Sequence, residues 1–196
     1  PLWALGLREK PASNWTQFVK LCGQMRSVSI YSALTHMSGV IALGAGAVSF
    51  TQVVKASEPA FTSAISAIFF REFLPWQAYA ALVPVMAGVA IASATELSFS
   101  MYCLGAGIFA NTFAAARGVF GKRQMGGELK KLSAENYYAM LTILSCILLI
   151  PVVVLVEGKE ALKLFSHQEA LQNTLISGIL FYLYNEVSFK ALKNLD

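Results

Sequence analysis

The chain has 196 residues, of which 56% are hydrophobic and only 13% are charged, and its mean hydropathy is +0.58. Soluble domains have about a quarter of their residues charged, so this composition excludes an ordinary soluble domain and is typical of a membrane protein that crosses the bilayer several times. The net charge of +4 comes mainly from basic residues between the apolar runs. They form no basic patch, so we predict no nucleic-acid partner.

Six apolar segments are each long enough to cross a bilayer, which takes about 20 residues of helix. We therefore expect an all-α polytopic membrane protein in which residues 1–196 form a single membrane domain. A polar connection over residues 7–26 comes first. In chain order, the expected spans cover about residues 29–50, 52–70, 75–93, 100–120, 137–156 and 171–192.

The second expected span carries a polar stripe at three- and four-residue steps, which places its members on one face of a helix. A bare ammonium group in hydrocarbon costs about 2.5 kcal/mol or more, so Lys55 needs solvent or an anion. Pro59 disturbs the same turn because it lacks an N–H group. We interpret the stripe as a cavity wall and Lys55 as half of an anion-binding site. The stripe consists of Gln52, Lys55, Pro59, Thr62 and Ser66.

The polar stripe, and three polar residues in other spans, also have a purely structural interpretation. The stripe could serve interhelical hydrogen bonding, and Lys55 could pair with Glu58 one turn along. His36, on the polar face of the first span, could be a packing histidine. Arg117 in the fourth span could extend to the membrane interface, and Tyr184 in the sixth could be an ordinary core aromatic.

The sequence contains no pattern that predicts an enzyme. Cys22, Cys103 and Cys146 have neither metal-ligand nor disulfide-framework spacing, and we interpret all three as packing residues. No nucleophile with its base, no phosphate-binding glycine loop and no metal cluster is recognisable. We therefore predict no catalytic residues, no metal and no cofactor.

The two ends of the sequence predict a fragment. The chain begins at Pro1 without an initiator methionine, in an apolar stretch similar to the end of a helix, and Asp196 follows directly after another apolar stretch. We expect outer helices at both ends to be absent.

Four stretches, in this order, resemble the plastid phosphate translocator family of the drug/metabolite transporter superfamily. They are residues 47–59 (AVSFTQVVKASEP), 116–123 (ARGVFGKR), 156–158 (VEG) and 181–186 (FYLYNE). The first is specific, and the others add weight by their order along the whole chain. The resemblance implies ten helices in two inverted halves, of which this chain would hold helices three to eight. It also implies a substrate site at the midplane and strict exchange against inorganic phosphate.

The resemblance also implies the site residues. Lys55 matches the family's phosphate-binding lysine, and the lysine–arginine pair that completes the family's phosphate clamp would lie beyond Asp196. His36 matches a histidine that lines the family site, and Ser38 stands near it as a substitute for a hydroxyl residue. Arg117 would meet the non-phosphate end of the substrate, and Tyr184 matches a further substrate-binding tyrosine.

On this basis we expect an antiporter in the chloroplast inner envelope that exchanges a phosphorylated C3 compound, triose phosphate or 3-phosphoglycerate, for inorganic phosphate. Asn185 favours the triose- or sugar-phosphate branches, because phosphoenolpyruvate carriers tend to have glutamine there. A pentose-phosphate, hexose-phosphate or phosphoenolpyruvate exchanger, a nucleotide-sugar transporter and a non-transporting membrane scaffold are the alternatives. The expected partners are phosphate, the phosphorylated substrate and the lipid bilayer.

Overall fold

The computed structural model describes residues 11, 14–96, 100–127, 129–158 and 168–194. Their helical elements, in chain order, are α1 (Trp15–Ala45), α2 (Val48–Lys55), α3 (Glu58–Ile65), a π-helical segment (Ser66–Phe70), α4 (Trp76–Thr95), α5 (Met101–Gly126), α6 (Ala134–Val156) and α7 (Gln168–Asn194). The all-α prediction is confirmed for this part of the chain. The helix end predicted near Pro1 lies outside the described residues.

Four of the described helices, α1, α4, α5 and α6, are long and apolar enough to cross a membrane by length and composition. They correspond to four of the six predicted spans. The predicted span over residues 52–70 is helical but divided into α2, α3 and the π-helical segment, which are individually short. α7 is 27 residues long, but Gln172, Asn173 and Glu186 lower its hydropathy.

The first helix differs from its predicted boundaries at both ends. α1 begins at Trp15, so residues 15–26, which were expected to belong to a polar connection, are helical. Phe18, Cys22 and Met25 recur there at helical spacing among polar residues, and Met25 is fully buried. Such an amphipathic pattern favours a helix even though its average hydropathy is low. α1 then ends at Ala45 rather than near residue 50.

The described residues fall into two compact units. The first contains those within Pro1–Ser29 and Lys122–Asp196, and the second contains those within Ile30–Gly121. The single domain over residues 1–196 stays a prediction.

Gln124 joins separate elements of the first unit through both ends of its amide. Its Nε2 donates to the Gln24 carbonyl at 3.0 Å, and its Oε1 accepts from the Tyr137 hydroxyl at 3.0 Å. Tyr137 is fully buried, so its hydroxyl needs such a partner. The rings of Tyr138 and Phe189, whose centroids are 5.0 Å apart, pack α6 against α7.

The core of the second unit lies where α5 approaches α2. Phe50, Val54 and Cys103 form a buried cluster. A Cβ atom added to Gly107 would lie 2.8 Å from Cγ1 of Val54, and one added to Gly46 would lie 2.8 Å from Sγ of Cys103. Glycine at these two positions therefore permits the close approach that holds the end of α2 in place.

We predict that Gly107→Ala destabilises the protein by about 1–3 kcal/mol, because the branched Val54 side chain is stiff and cannot move aside without strain. Gly105→Ala is the matched control, since a Cβ there meets nothing within 4 Å. Alanine also has the higher helix propensity, so Gly105→Ala should be neutral or stabilising by up to about 1 kcal/mol. Thermal unfolding in detergent measures both variants, and equal unfolding temperatures would contradict the close packing.

Candidate functional site

The candidate site is built around a break between α2 and α3. α2 ends at Lys55, and α3 begins at Glu58 with Pro59 in its first turn. Pro59 has no N–H group for the carbonyl of Lys55, and its ring would clash with that carbonyl in a continuous helix. The first turn of a new helix tolerates proline, so the chain stops one helix and starts another within two residues.

The break leaves the Val54 carbonyl without its regular helical donor, and three other donors replace it. The Ser57 N–H donates to this oxygen at 3.1 Å. The Ser57 hydroxyl donates to it at 2.7 Å, and Nδ2 of Asn111 donates to it at 2.7 Å. A buried carbonyl without a partner costs free energy comparable to a lost hydrogen bond, so these contacts stabilise the broken geometry.

Lys55 is the last residue of α2, and its side chain is exposed. A cation at this position interacts favourably with the partial negative charge at the C-terminus of α2. An acidic residue such as Glu58 interacts favourably with the partial positive charge at the N-terminus of α3. Within the described ranges, Lys55 forms no salt bridge with Glu58. The ammonium group is therefore accessible to an anion.

Two other predicted residues lie near this lysine in the same compact unit. His36 on α1 and Arg117 on α5 are both half-buried. The charges of Arg117 and Lys55 both act electrostatically on His36. The fold thus places His36 within electrostatic reach of two basic residues that are far from it in the sequence. The assignment of these three residues to one anion-binding site stays a prediction.

Ser38 and Tyr184 have different surroundings. Ser38 is buried, and it follows His36 by two positions, which rotates it by about 200° around the helix. It therefore lies on a different side of α1 from His36. Tyr184 is on α7 in the other compact unit, where its side chain is 71% exposed. The assignment of these two residues to the site stays a prediction.

Asn185, which we used to choose between substrate branches, is held by its own helix. Its Nδ2 donates to the Phe181 carbonyl at 2.9 Å, and the residue is buried.

Asn111 is the residue of the break that sequence reasoning missed. It was recognisable only as one amide in an apolar span. In the structure it is completely buried, and its Nδ2 donates to Ser57 Oγ at 2.9 Å as well as to the Val54 carbonyl. A buried amide in an apolar helix needs a partner, which is the signal that could have marked it.

The described residues contain no group of three or more His, Cys, Asp or Glu side chains that could hold a metal ion. Several long apolar helices, together with a broken helix beside an exposed lysine, are typical of membrane transporters.

The comparisons with known proteins agree with this class. The model of the Triose-phosphate Transporter family matches residues 1–196, and the chain belongs to this family. The resemblance found in the sequence is thereby confirmed, and the family is one of transporters rather than of enzymes.

Several curated plant proteins are similar to this chain. A glucose-6-phosphate/phosphate translocator of Arabidopsis thaliana is 30% identical over 99% of this chain and 50% of its own length. A phosphoenolpyruvate/phosphate translocator of Oryza sativa subsp. japonica is 33% identical over 97% of this chain and 49% of its own length. A triose phosphate/phosphate translocator of Pisum sativum is 30% identical over 97% of this chain and 48% of its own length. The chain thus spans about half the length of the curated relatives it matches.

We predict that Pro59→Ala makes the break more like a continuous helix, because alanine supplies an N–H group for the Lys55 carbonyl and removes the ring clash. Hydrogen exchange should become slower at the amides of residues 56–60, and the unfolding temperature should stay unchanged or rise. Pro84→Ala is the control, since Pro84 lies inside α4. Unchanged exchange at residues 56–60 in Pro59→Ala would mean that the proline does not maintain the break.

Proposed function

We propose that this chain is part of an antiporter that exchanges a phosphorylated C3 compound, triose phosphate or 3-phosphoglycerate, for inorganic phosphate by alternating access. The observation that carries the proposal is the accessible Lys55 at a broken helix, within electrostatic reach of His36. A lysine at membrane depth requires compensation, and a phosphate dianion supplies it. Membership of the Triose-phosphate Transporter family supports this choice of anion.

We further propose that six segments of the chain span the bilayer as helices three to eight of a ten-helix inverted-repeat transporter. Two observations support this arrangement. Broken helices are typical of the substrate sites of transporters with inverted repeats, and α2 and α3 together provide one such helix. The chain also covers about half of its curated relatives, as six of ten helices would.

Within this site each residue has a separate role. Lys55 binds the phosphate group, and Arg117 binds the opposite end of the substrate. We assign His36 to the wall of the proposed cavity, which the electrostatic action of both cations on this residue supports. Ser38 and Tyr184 complete the proposed substrate-binding set.

The charges of the site explain obligatory exchange. In the empty carrier, Lys55 and Arg117 repel each other as the cavity closes and water is excluded, because Coulomb energies grow as the local dielectric constant falls. A bound anion reverses the sign of this contribution to the free energy. Only the carrier with a bound anion then changes between its inward-open and outward-open conformations. Transport in one direction is therefore coupled to transport in the other.

Asn185 favours a triose or sugar phosphate over phosphoenolpyruvate. The choice of a C3 compound among these is supported by similarity to the pea protein, which is named a triose phosphate/phosphate translocator. Hexose phosphate is the second candidate, because a relative at 30% identity over 99% of this chain is named a glucose-6-phosphate/phosphate translocator. The names of these relatives include "chloroplastic", which supports location in the chloroplast envelope. As part of the proposed function, we place this protein in the inner of the two envelope membranes.

We predict that Lys55→Ala lowers phosphate exchange by about 30-fold or more, since removing one partner of a desolvated charge pair costs about 2 kcal/mol or more. Exchange of labelled phosphate is measured in liposomes that contain the full-length protein. Lys130→Ala, at an exposed turn residue after α5, should exchange at the unchanged rate. Retained exchange in a correctly inserted Lys55→Ala variant would remove this lysine from the site.

The substrate is determined by competition. We expect triose phosphate and 3-phosphoglycerate to inhibit uptake of labelled phosphate at lower concentrations than glucose 6-phosphate, phosphoenolpyruvate or a nucleotide sugar, because the cavity is proposed to fit three carbons. The reverse order would replace the C3 assignment with that of the stronger competitor. Uptake into liposomes that hold no counter-substrate would contradict antiport itself.

A further inference from the structure

We propose that Asn111 is a positioning residue for phosphate binding: it holds the break after α2 in the shape that presents Lys55, and it does so through Val54 and Ser57 without touching the substrate. This inference rests on the proposed function, because it takes Lys55 as the phosphate ligand.

The geometry of the contact is a closed triangle of hydrogen bonds. Nδ2 of Asn111 donates to the Val54 carbonyl at 2.7 Å and to Ser57 Oγ at 2.9 Å, and the Ser57 hydroxyl donates to the same carbonyl at 2.7 Å. The exposed fractions of Asn111, Val54 and Ser57 are 0%, 1% and 3%. In such a dry environment each missing bond is expensive, so the triangle favours one backbone geometry.

The backbone that the triangle holds is the segment next to Lys55. Val54 directly precedes the lysine, and Ser57 is two residues after it. The direction in which the Lys55 side chain leaves α2 therefore depends on where the helix stops. Without the Asn111 donor, the Val54 carbonyl keeps only donors from Ser57, and the position of the break is less strongly determined.

The surface of α5 explains why the amide can reach this carbonyl. Cys103, Gly107 and Asn111 follow one another at intervals of four residues, which places them along one face of the helix. Cys103 packs with Val54 in the buried cluster, and Gly107 leaves room for the Val54 side chain. One turn after Gly107, Asn111 lies on the same face of α5 and contacts the end of α2.

Two facts separate this role from substrate binding. The side chain is completely buried, and both of its recorded bonds come from Nδ2 to groups of the break. Its Oδ1 accepts no hydrogen bond from the described residues. Asn111→Asp keeps the size of the side chain while it removes the two N–H donors of the amide. A buried carboxyl group that stays protonated offers at most one O–H donor in their place, so at least one bond of the triangle is lost.

The experiment measures the dissociation constant of inorganic phosphate for the purified full-length protein, with Asn111→Asp and Lys55→Gln alone and together. We expect Asn111→Asp to weaken phosphate binding by about tenfold, the equivalent of one or two buried hydrogen bonds. In the Lys55→Gln background the lysine that binds phosphate is already absent. The Asn111→Asp change should then alter the dissociation constant of phosphate by less than about twofold. Hydrogen exchange at residues 54–58 should become faster in Asn111→Asp.

Thr112→Val is the matched control on the same helix. Its hydroxyl donates to the Ile108 carbonyl of α5 at 2.8 Å, so we expect unchanged phosphate binding and unchanged exchange at residues 54–58. If Asn111→Asp does not fold, Ser57→Ala removes another member of the triangle and takes its place in the same comparison.

The outcomes distinguish this inference from the proposed function. If Lys55→Gln binds phosphate as the wild type does, Lys55 is not the ligand and the proposed site fails. If Lys55→Gln weakens binding but Asn111→Asp does not, the positioning role alone is wrong. An equal effect of Asn111→Asp in both backgrounds would also overturn it, because a residue that acts through Lys55 cannot act in its absence.

Discussion

The geometry of the site depends on the Val54 carbonyl, which loses its regular helical donor at the break. In hydrocarbon there is no water to replace a missing donor, so an interrupted helix is stable only where other protein groups take over. Here Ser57 and Asn111 do so. Pro59 makes a continuous helix unfavourable, and the hydrogen bonds stabilise the interrupted helix in one backbone geometry. The two effects together place Lys55 at the end of a helix.

The break also concentrates charge where an apolar protein has little of it. Lys55 ends α2, and its charge and that of Arg117 on α5 both act on His36 of α1. In the part of the chain that the structure describes, Glu58 forms no salt bridge with Lys55. Under the proposed function, an anionic cargo compensates these positive charges, and the same charges produce the proposed requirement for exchange.

Family membership and substrate choice depend on different features of the chain. The relatives at about 30% identity include proteins named for glucose 6-phosphate, phosphoenolpyruvate and triose phosphate, which all carry a phosphate group. Under the proposed function, Lys55 at the broken helix binds this common phosphate group. The carbon skeleton must be distinguished elsewhere in the cavity, and for this chain the proposed residues are Arg117 and Tyr184.

The sequence by itself determined that the protein is helical, that it has segments apolar enough to cross a membrane, that Lys55 lies in an apolar stretch, and that Pro59 disturbs the turn beside it. These are local properties of composition and spacing, so no tertiary contact is needed to read them. It misplaced the start of α1, because an amphipathic helix has low average hydropathy. It also did not separate α2 from α3. Only the tertiary structure decided that Asn111 caps Val54, since the two residues are 57 positions apart and meet only when α5 packs on α2.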